Sequence, residues 1–374
     1  MTKNSVALII FLLLLFVGIL AGDRFRTVSG FDQSQMLAAR SILNSGSLSA
    51  PEFYQIDAQL RELSLGAGAQ QDYFAETVDG KLVPKHSVVL PYILAPLLPL
   101  LGDRAPLGLS ILVLWLLFVA VVRATGEIES LSIKVSVVLL FVFSQFIFYV
   151  GSIPYDTLSA LCTIVAFSQV KRRPFYGGAC LMLGVFVRPT IVLFAPFLLL
   201  LVLLEHHKIF SRMVGCFLGM VVPLTLYGLM NWYLFGSFLV TAYHRLPEYF
   251  NGTLMHAHHP IGFSLSVFFS RWYDKLLDPT YGVLRYNSFL LLLPFAARYI
   301  ASHRERMTLT IYSAAGLGYS LYIFSYEMWY STYFGNRFLM PSLVLMLVPI
   351  AAFVSAFVKK SRAEYQKGSL NQSE

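Results

Sequence analysis

Ser87-Val-Val-Leu-Pro91-Tyr-Ile-Leu-Ala-Pro96-Leu-Leu-Pro99-Leu-Leu101 is the stretch on which the reading of the whole chain turns. It is apolar enough to enter a bilayer, but it is short and carries three prolines. Each proline removes a backbone donor and crowds the preceding turn, so a regular spanning helix is not expected there. Read as a re-entrant or interfacial segment, it leaves the downstream basic clusters on one side of the membrane. These are Arg123 with Lys134, Lys171-Arg172-Arg173, Lys208 with Arg212, Arg298 with Arg304 and Arg306, and a tail of Lys359, Lys360, Arg362 and Lys367. One-sided basic loops are the usual mark of cytoplasmic connections. Counting Ser87–Leu101 as a span would invert that pattern for everything after it.

Composition supplies the wider frame. Of 374 residues, 57% are hydrophobic and only 13% charged, where a soluble domain carries about 25% charged residues. The chain therefore reads as a polytopic membrane protein. A net charge of +8 does not point to nucleic acid, because the basic residues fall in short clusters between apolar runs. Cys162, Cys180 and Cys216 lie in apolar runs without metal-ligand spacing and read as inert core thiols.

Apolar runs of spanning character fall at Ser5–Ala21 and at about 106–122, 135–150, 157–170, 174–187, 190–204, 213–233, 286–300, 308–325 and 338–358. The fold expected is an all-α polytopic membrane protein of about ten transmembrane helices, a single integral membrane domain over 1–374. Arg188-Pro189 divides a stretch that would otherwise run about 30 residues, near 45 Å and too long for the hydrocarbon core. Residues 22–105 form a first outer loop with amphipathic and re-entrant helices, 234–285 a second large outer loop, and 359–374 a cytoplasmic tail. No internal repeat is visible, which argues against repeat-built transporter folds.

The first outer loop opens with Thr27-Val-Ser-Gly-Phe-Asp32-Gln-Ser-Gln-Met-Leu-Ala-Ala-Arg-Ser-Ile-Leu-Asn-Ser-Gly46. Met36, Ala39 and Leu43, widened by Ile42, give one apolar helical face, and Gly46 suits a left-handed helix end. Such a helix would lie along the bilayer surface with Asp32 at its N-terminal end. Asp32 with Gln35, or Ser29 with Asp32, also fits an ordinary capping box. On this topology Lys85, His86, Asp156, Arg188, Arg245, Arg271 and Arg337 share the outer membrane level with Asp32. Basic groups gathered there suit a phosphate or pyrophosphate, held by charge-assisted hydrogen bonds; the plainer reading is snorkelling or ordinary headgroup contact.

Several motifs, in order, resemble the GT-C superfamily of polytopic membrane glycosyltransferases, which includes protein O-mannosyltransferases and aminoarabinose transferases. Phe31-Asp32 resembles that family's acidic first outer loop. Pro84-Lys85-His86 through Leu101-Gly102 is similar to its Lys/His-Pro-Pro-Leu…Phe-Gly segment, although Val88-Val89 stands where a Pro-Pro pair is usual. Ser152-Ile-Pro-Tyr-Asp156 is similar to its second acidic motif, Phe235-Gly-Ser237 to the opening of its late loop, and Phe334-Gly-Asn-Arg337 to its Phe-Gly-x-Arg-Tyr turn.

The resemblance implies transfer of a sugar from a polyprenyl-phosphate donor to a hydroxyl of a lipid, glycan or protein, in cell-envelope lipopolysaccharide or glycan synthesis. Asp32 would be the general base of an inverting reaction. Lys85, His86, Arg245, Arg271, Arg337 and Asp156 would bind substrate, and Trp329 would stack on the sugar. A divalent ion, Mg or Mn, at Asp32 and Asp156 stays open. The expected location is a bacterial inner membrane with the site facing the periplasm, in contact with membrane lipids and no nucleic acid. The alternative is a transporter or flippase of a lipid-linked or anionic substrate.

Overall fold

A computed structural model of the chain describes residues 30–63, 69–70, 74–125, 140–141, 144–150, 153–204, 209–250, 253–257, 264–270, 272–279, 282–302, 306–325 and 336–371. They form a helical bundle with a small mixed layer packed on it. The layer comprises α1 (Gly30–Ser45), α2 (Pro51–Leu63), β1 (Ala69–Gln70), β2 (Phe74–Glu76) and β3 (Leu82–Pro84). The bundle begins with α3 (Leu90–Leu94), α4 (Leu98–Leu101) and α5 (Ala105–Ala124), followed by α6 (Tyr155–Gln169), α7 (Pro174–Val187), α8 (Ala195–Leu203) and α9 (Ile209–Phe235). Then come β4 (Leu246–Phe250), β5 (Thr253–Ala257) and the short helices α10 (Leu265–Phe269), α11 (Trp272–Leu277) and α12 (Val283–Tyr286). Helices α13 (Leu293–Ser302), α14 (Arg306–Phe324) and α15 (Met340–Asn371) complete the chain.

The expectation of about ten transmembrane helices is corrected. Among the described residues three helices are long and apolar enough to cross a membrane: Leu90–Ala124, Ile209–Phe235 and Arg337–Ser361. Helices α6 and α7, of 15 and 14 residues, reach only about 22 Å at about 1.5 Å per residue, short of a hydrocarbon core of about 30 Å. Apolar composition marked these segments as spans; in the bundle α6 packs against α5, α7 and α15, and α7 against α6 and α9. The first expected span, Ser5–Ala21, and the first five residues of 135–150 fall outside the described residues, as do 142 and 143. With the ten-span alternation gone, the outward-facing site and the inner-membrane placement built on it are withdrawn.

Ser87–Leu101 is built of short helical pieces that lead into α5 within the stretch Leu90–Ala124, and Gly102, at φ +54° and ψ −136°, breaks the helix between them. The physical reason is where the prolines fall. Pro91, Pro96 and Pro99 each occupy a first-turn position of a short helical piece, where the missing N–H had no intrahelical partner to lose.

The bundle core joins α5 through α9 to α13, α14 and α15, with Phe167, Phe194 and Tyr312 at its centre. Helix α15 is its axis: 72% of its apolar window is buried, against 28% for α9. Helices α7 and α9 run parallel, since Pro174 meets Gly215 near one end and the Phe186 and Tyr227 rings meet 5.3 Å apart near the other. Gly178 and Gly219 permit that approach: a Cβ on Gly178 would strike the Cys216 carbonyl, and one on Gly219 the Phe175 carbonyl.

The mixed layer is stitched from both long polar segments. Strand β1 pairs antiparallel with β4, Ala69 opposite Tyr249, and β4 with β5. The β2–β3 hairpin is tied to the same region, Glu76 N–H donating to Arg245 O and Val78 N–H to Leu234 O, both at 2.9 Å. Ala38, Phe53, Phe74, Val83, Phe235 and Leu246 form its own small core. Helix α1 packs within this layer, against α3 and β3. Its buried face holds Ser34, Gln35, Ala38 and Ala39, while Leu43, read with Met36 and Ala39 as one apolar face, is exposed. Gly46 ends the helix with φ of +72° and donates its N–H to Ile42 O at 2.9 Å.

Candidate functional site

Four segments distant in sequence converge where the mixed layer meets the bundle. The first is the Lys85-His86 link after β3, which Pro84 closes as a strand. The second is the start of α6, where Tyr155 and Asp156 fall in the first turn, a position that suits an acid beside the positive end of a helix. Arg188 stands between α7 and the 3-10 turn Pro189–Phe194. Pro189 disfavours helical backbone at the residue before it, and Arg188 accordingly sits extended, at φ −146° and ψ 106°, which carries its guanidinium to Asp156. The fourth is Asn336-Arg337, entering the 3-10 turn that leads into α15.

At the centre is the Asp156 carboxylate, 5% exposed. Arg188 Nη2 pairs with its Oδ1, and Arg337 Nε stands 3.6 Å from Oδ2. Both guanidiniums also approach the Phe338 ring, with Cζ at 4.3 Å from its centroid for Arg188 and 5.6 Å for Arg337. The buried Lys85 ammonium lies 5.4 Å from the Tyr243 ring centroid. His86 is enclosed by Tyr155 and Tyr243, its Nδ1 2.7 Å from the Tyr243 hydroxyl, and its carbonyl accepts from Gln35 Nε2. Burial first, then the charges of Lys85, Arg337 and Arg188, hold the imidazole well below its ordinary pKa, so it is neutral at pH 7.

A neutral amide chain buttresses the cluster. Asn287 Nδ2 donates to Gln145 Oε1 at 2.9 Å, Gln145 Nε2 to Asn336 O at 3.1 Å, and Phe338 N–H to Asn336 Oδ1 at 2.9 Å. Asn336 is fully buried at φ +64°. Ser87, beside His86, has φ +35°. These are the two described non-glycine residues with left-handed backbone, and each adjoins a cluster cation or imidazole. Two buried donors, Arg188 Nε and Asn336 Nδ2, have no hydrogen-bond partner.

Of the residues singled out from sequence, Lys85, His86, Asp156, Arg188 and Arg337 are therefore brought together. Arg245 is half-buried, and its described bond runs from Nη2 to Phe235 O at 3.5 Å, within the mixed layer. Asp32 falls in α1, but its side chain lies outside the described residues, as do Arg271 and Trp329 altogether. Sequence reading missed Tyr243, Gln35 and Asn336. For Asn336 the Gly335-Asn336 turn dipeptide was an available signal; for Tyr243 nothing local was.

At Asp156 two guanidiniums already face the carboxylate, and Asp32, the other ligand considered for a divalent ion, has its side chain outside the described residues. Among the described residues no group of three or more His, Cys, Asp or Glu is assembled that could hold a metal. The reading as an enzyme, a glycosyltransferase with Asp32 as general base, is corrected: it required a ten-span frame, where the described residues hold three membrane-length helices, and among them no metal-binding group of acids is assembled. The transporter alternative rested on the same frame and goes with it. The resemblance to GT-C glycosyltransferases fails the same test, because no family model, no curated protein and no solved structure matches the chain.

Proposed function

We propose that the chain is a binding protein for an anionic, phosphate-bearing ligand, taken at the Asp156 cluster. The observation that supports this most is that one carboxylate is shared between two guanidiniums, Arg188 and Arg337, with the Lys85 ammonium beside them. Three cationic side chains are thus drawn to one place around a single described carboxylate, and a neutral His86 adds no charge. Cations gathered in a weakly solvated site attract an anion strongly. The partnerless donors Arg188 Nε and Asn336 Nδ2 add directional hydrogen bonds. A planar guanidinium fork matches phosphate or carboxylate oxygens, and phosphate, with more charge and more acceptor oxygens, suits this number of donors better. A lipid phosphate, polyprenyl phosphate among them, and a soluble phosphate ester both present the group.

The test is calorimetric titration of the full chain in non-ionic detergent with phenyl phosphate and benzoate. Phosphate binding that weakens at least tenfold in Arg337→Gln, with benzoate weaker than phosphate throughout, sustains the reading. Wild-type affinity in Arg337→Gln and in Arg188→Lys, each shown folded by circular dichroism, overturns it.

A further inference from the structure

Helices α10 and α11 are folded inside out. In Trp272-Tyr-Asp-Lys-Leu-Leu277 the buried side chain is the basic one: Lys275 is 1% exposed, while Trp272 is 59% exposed and Tyr273 and Leu277 stand out beside it. Phe269, the last residue of α10, is exposed as well. The Lys275 ammonium sets this orientation. It donates to Val267 O at 2.6 Å and to Phe324 O at the end of α14, and so holds α10 and α11 down on that helix end. In water the arrangement is unfavourable twice over, since it takes an ammonium out of solvent and leaves three aromatic rings in it.

The segment sits at the Asp156 end of the bundle. Thr190 Oγ1 and the Tyr319 hydroxyl, 2.8 Å apart, tie the last turns of α14 to the turn that follows Arg188. Helix α9, parallel to α7, finishes at the same end, and there Trp232 and Tyr233 are exposed. From Met213 to Phe235 α9 carries no charged residue, and Phe217, Val222 and Leu226 are exposed along it. Two separate elements thus present a Trp-Tyr pair outward at one end of the bundle, and an apolar face runs away from one of them.

Indole and phenol rings have an apolar body and a polar tip, which suits the boundary between lipid headgroups and acyl chains. Asp274, exposed next to Tyr273, disfavours an anionic surface. We propose that Phe269, Trp272 and Tyr273 form a contact surface for zwitterionic phospholipid, seated at headgroup level. A lipid surface accounts for Trp232 and Tyr233 by the same chemistry, whereas a protein partner would need a second apolar patch to cover them. The proposal does not depend on what the Asp156 cluster binds.

The experiment reconstitutes the full chain in phosphatidylcholine vesicles and reads tryptophan emission, with the difference between wild type and Trp272→Phe isolating the share of Trp272. Phosphatidylcholine spin-labelled at the headgroup is expected to quench that share about twofold or more beyond a label at the acyl chain end, and aqueous iodide to quench it least. Quenching by iodide and by neither lipid label places the surface in water and overturns the proposal. Quenching by none of the three places it against protein and overturns it equally, as does lipid-label quenching that is the same in wild type and Trp272→Phe. The substitution keeps an aromatic ring at an exposed position, so folding of the variant is not at issue.

Discussion

His86 and Tyr243, 157 residues apart in sequence, are joined by a 2.7 Å contact between the imidazole Nδ1 and the phenol oxygen. It ties the two polar segments of the mixed layer together, and Tyr155, at the start of α6, closes the other side of the imidazole ring. The imidazole is neutral in the fold, held so by burial and by the cations around it, while in the unfolded chain it titrates near its ordinary value.

Stability should therefore depend on pH in a defined direction. A base whose folded pKa is depressed contributes fully above its unfolded pKa, about 6.5, and that contribution is lost as pH falls from there towards the folded pKa. Thermal melts of the wild type are expected to drop progressively below about pH 6.5. The His86→Gln variant should show a flatter profile over the same window.

Asp156→Asn should destabilise the protein by about 3–5 kcal/mol, the range for breaking a buried ion pair, because it strands two guanidiniums. Chemical denaturation measures it. The double variant Asp156→Asn with Arg337→Gln should recover part of the loss, since one stranded charge is then gone; an additive result would show that the two residues do not interact.

The parallel packing of α7 on α9 makes two neighbouring glycines respond oppositely. At Gly219 an added Cβ meets the Phe175 carbonyl, a backbone atom that cannot swing aside, so Gly219→Ala should cost about 1–3 kcal/mol. At Gly215 the nearest atom is Pro174 Cβ at 3.9 Å. Gly215→Ala should be neutral or stabilising by up to about 1 kcal/mol, from helix propensity. Melting temperatures of the two variants, side by side, decide it.

Ser87→Gly should raise stability by about 1 kcal/mol. It relieves a left-handed backbone at φ +35° and removes a buried hydroxyl that has no hydrogen-bond partner. A melting temperature below wild type would mean that the Ser87 side chain packs in a way that outweighs both terms.

How much of this was readable beforehand varies by element. The break at Arg188-Pro189 was legible because proline acts on the backbone next to it, and the Gly46 helix end was legible for a similarly local reason. The number of spans was not. Hydropathy reports how apolar a segment is, but not whether lipid or protein covers it, and α9 and α15 are both apolar while being buried to very different extents. The prolines of Ser87–Leu101 act in the same local way: the spacing of Pro91, Pro96 and Pro99 gives each the first turn of its own short helical piece. At the site, Lys85, His86, Asp156 and Arg337 could be picked out as ionisable groups in an apolar chain. That they meet was a property of the tertiary fold, and Tyr243, an ordinary tyrosine between Ala242 and His244, carried no local mark of its partner.

The pairing of Ala69 with Tyr249 also sets an order of assembly. Strand β1 leaves the ribosome long before β4 exists, and almost half the chain, including α5 through α9, is synthesised in between. The edge of β1 can therefore be covered only late, after the helices that bring β4 back to it have been made. During that interval Ala69 and Gln70 have no partner strand, so their pairing belongs to the last steps of folding rather than the first.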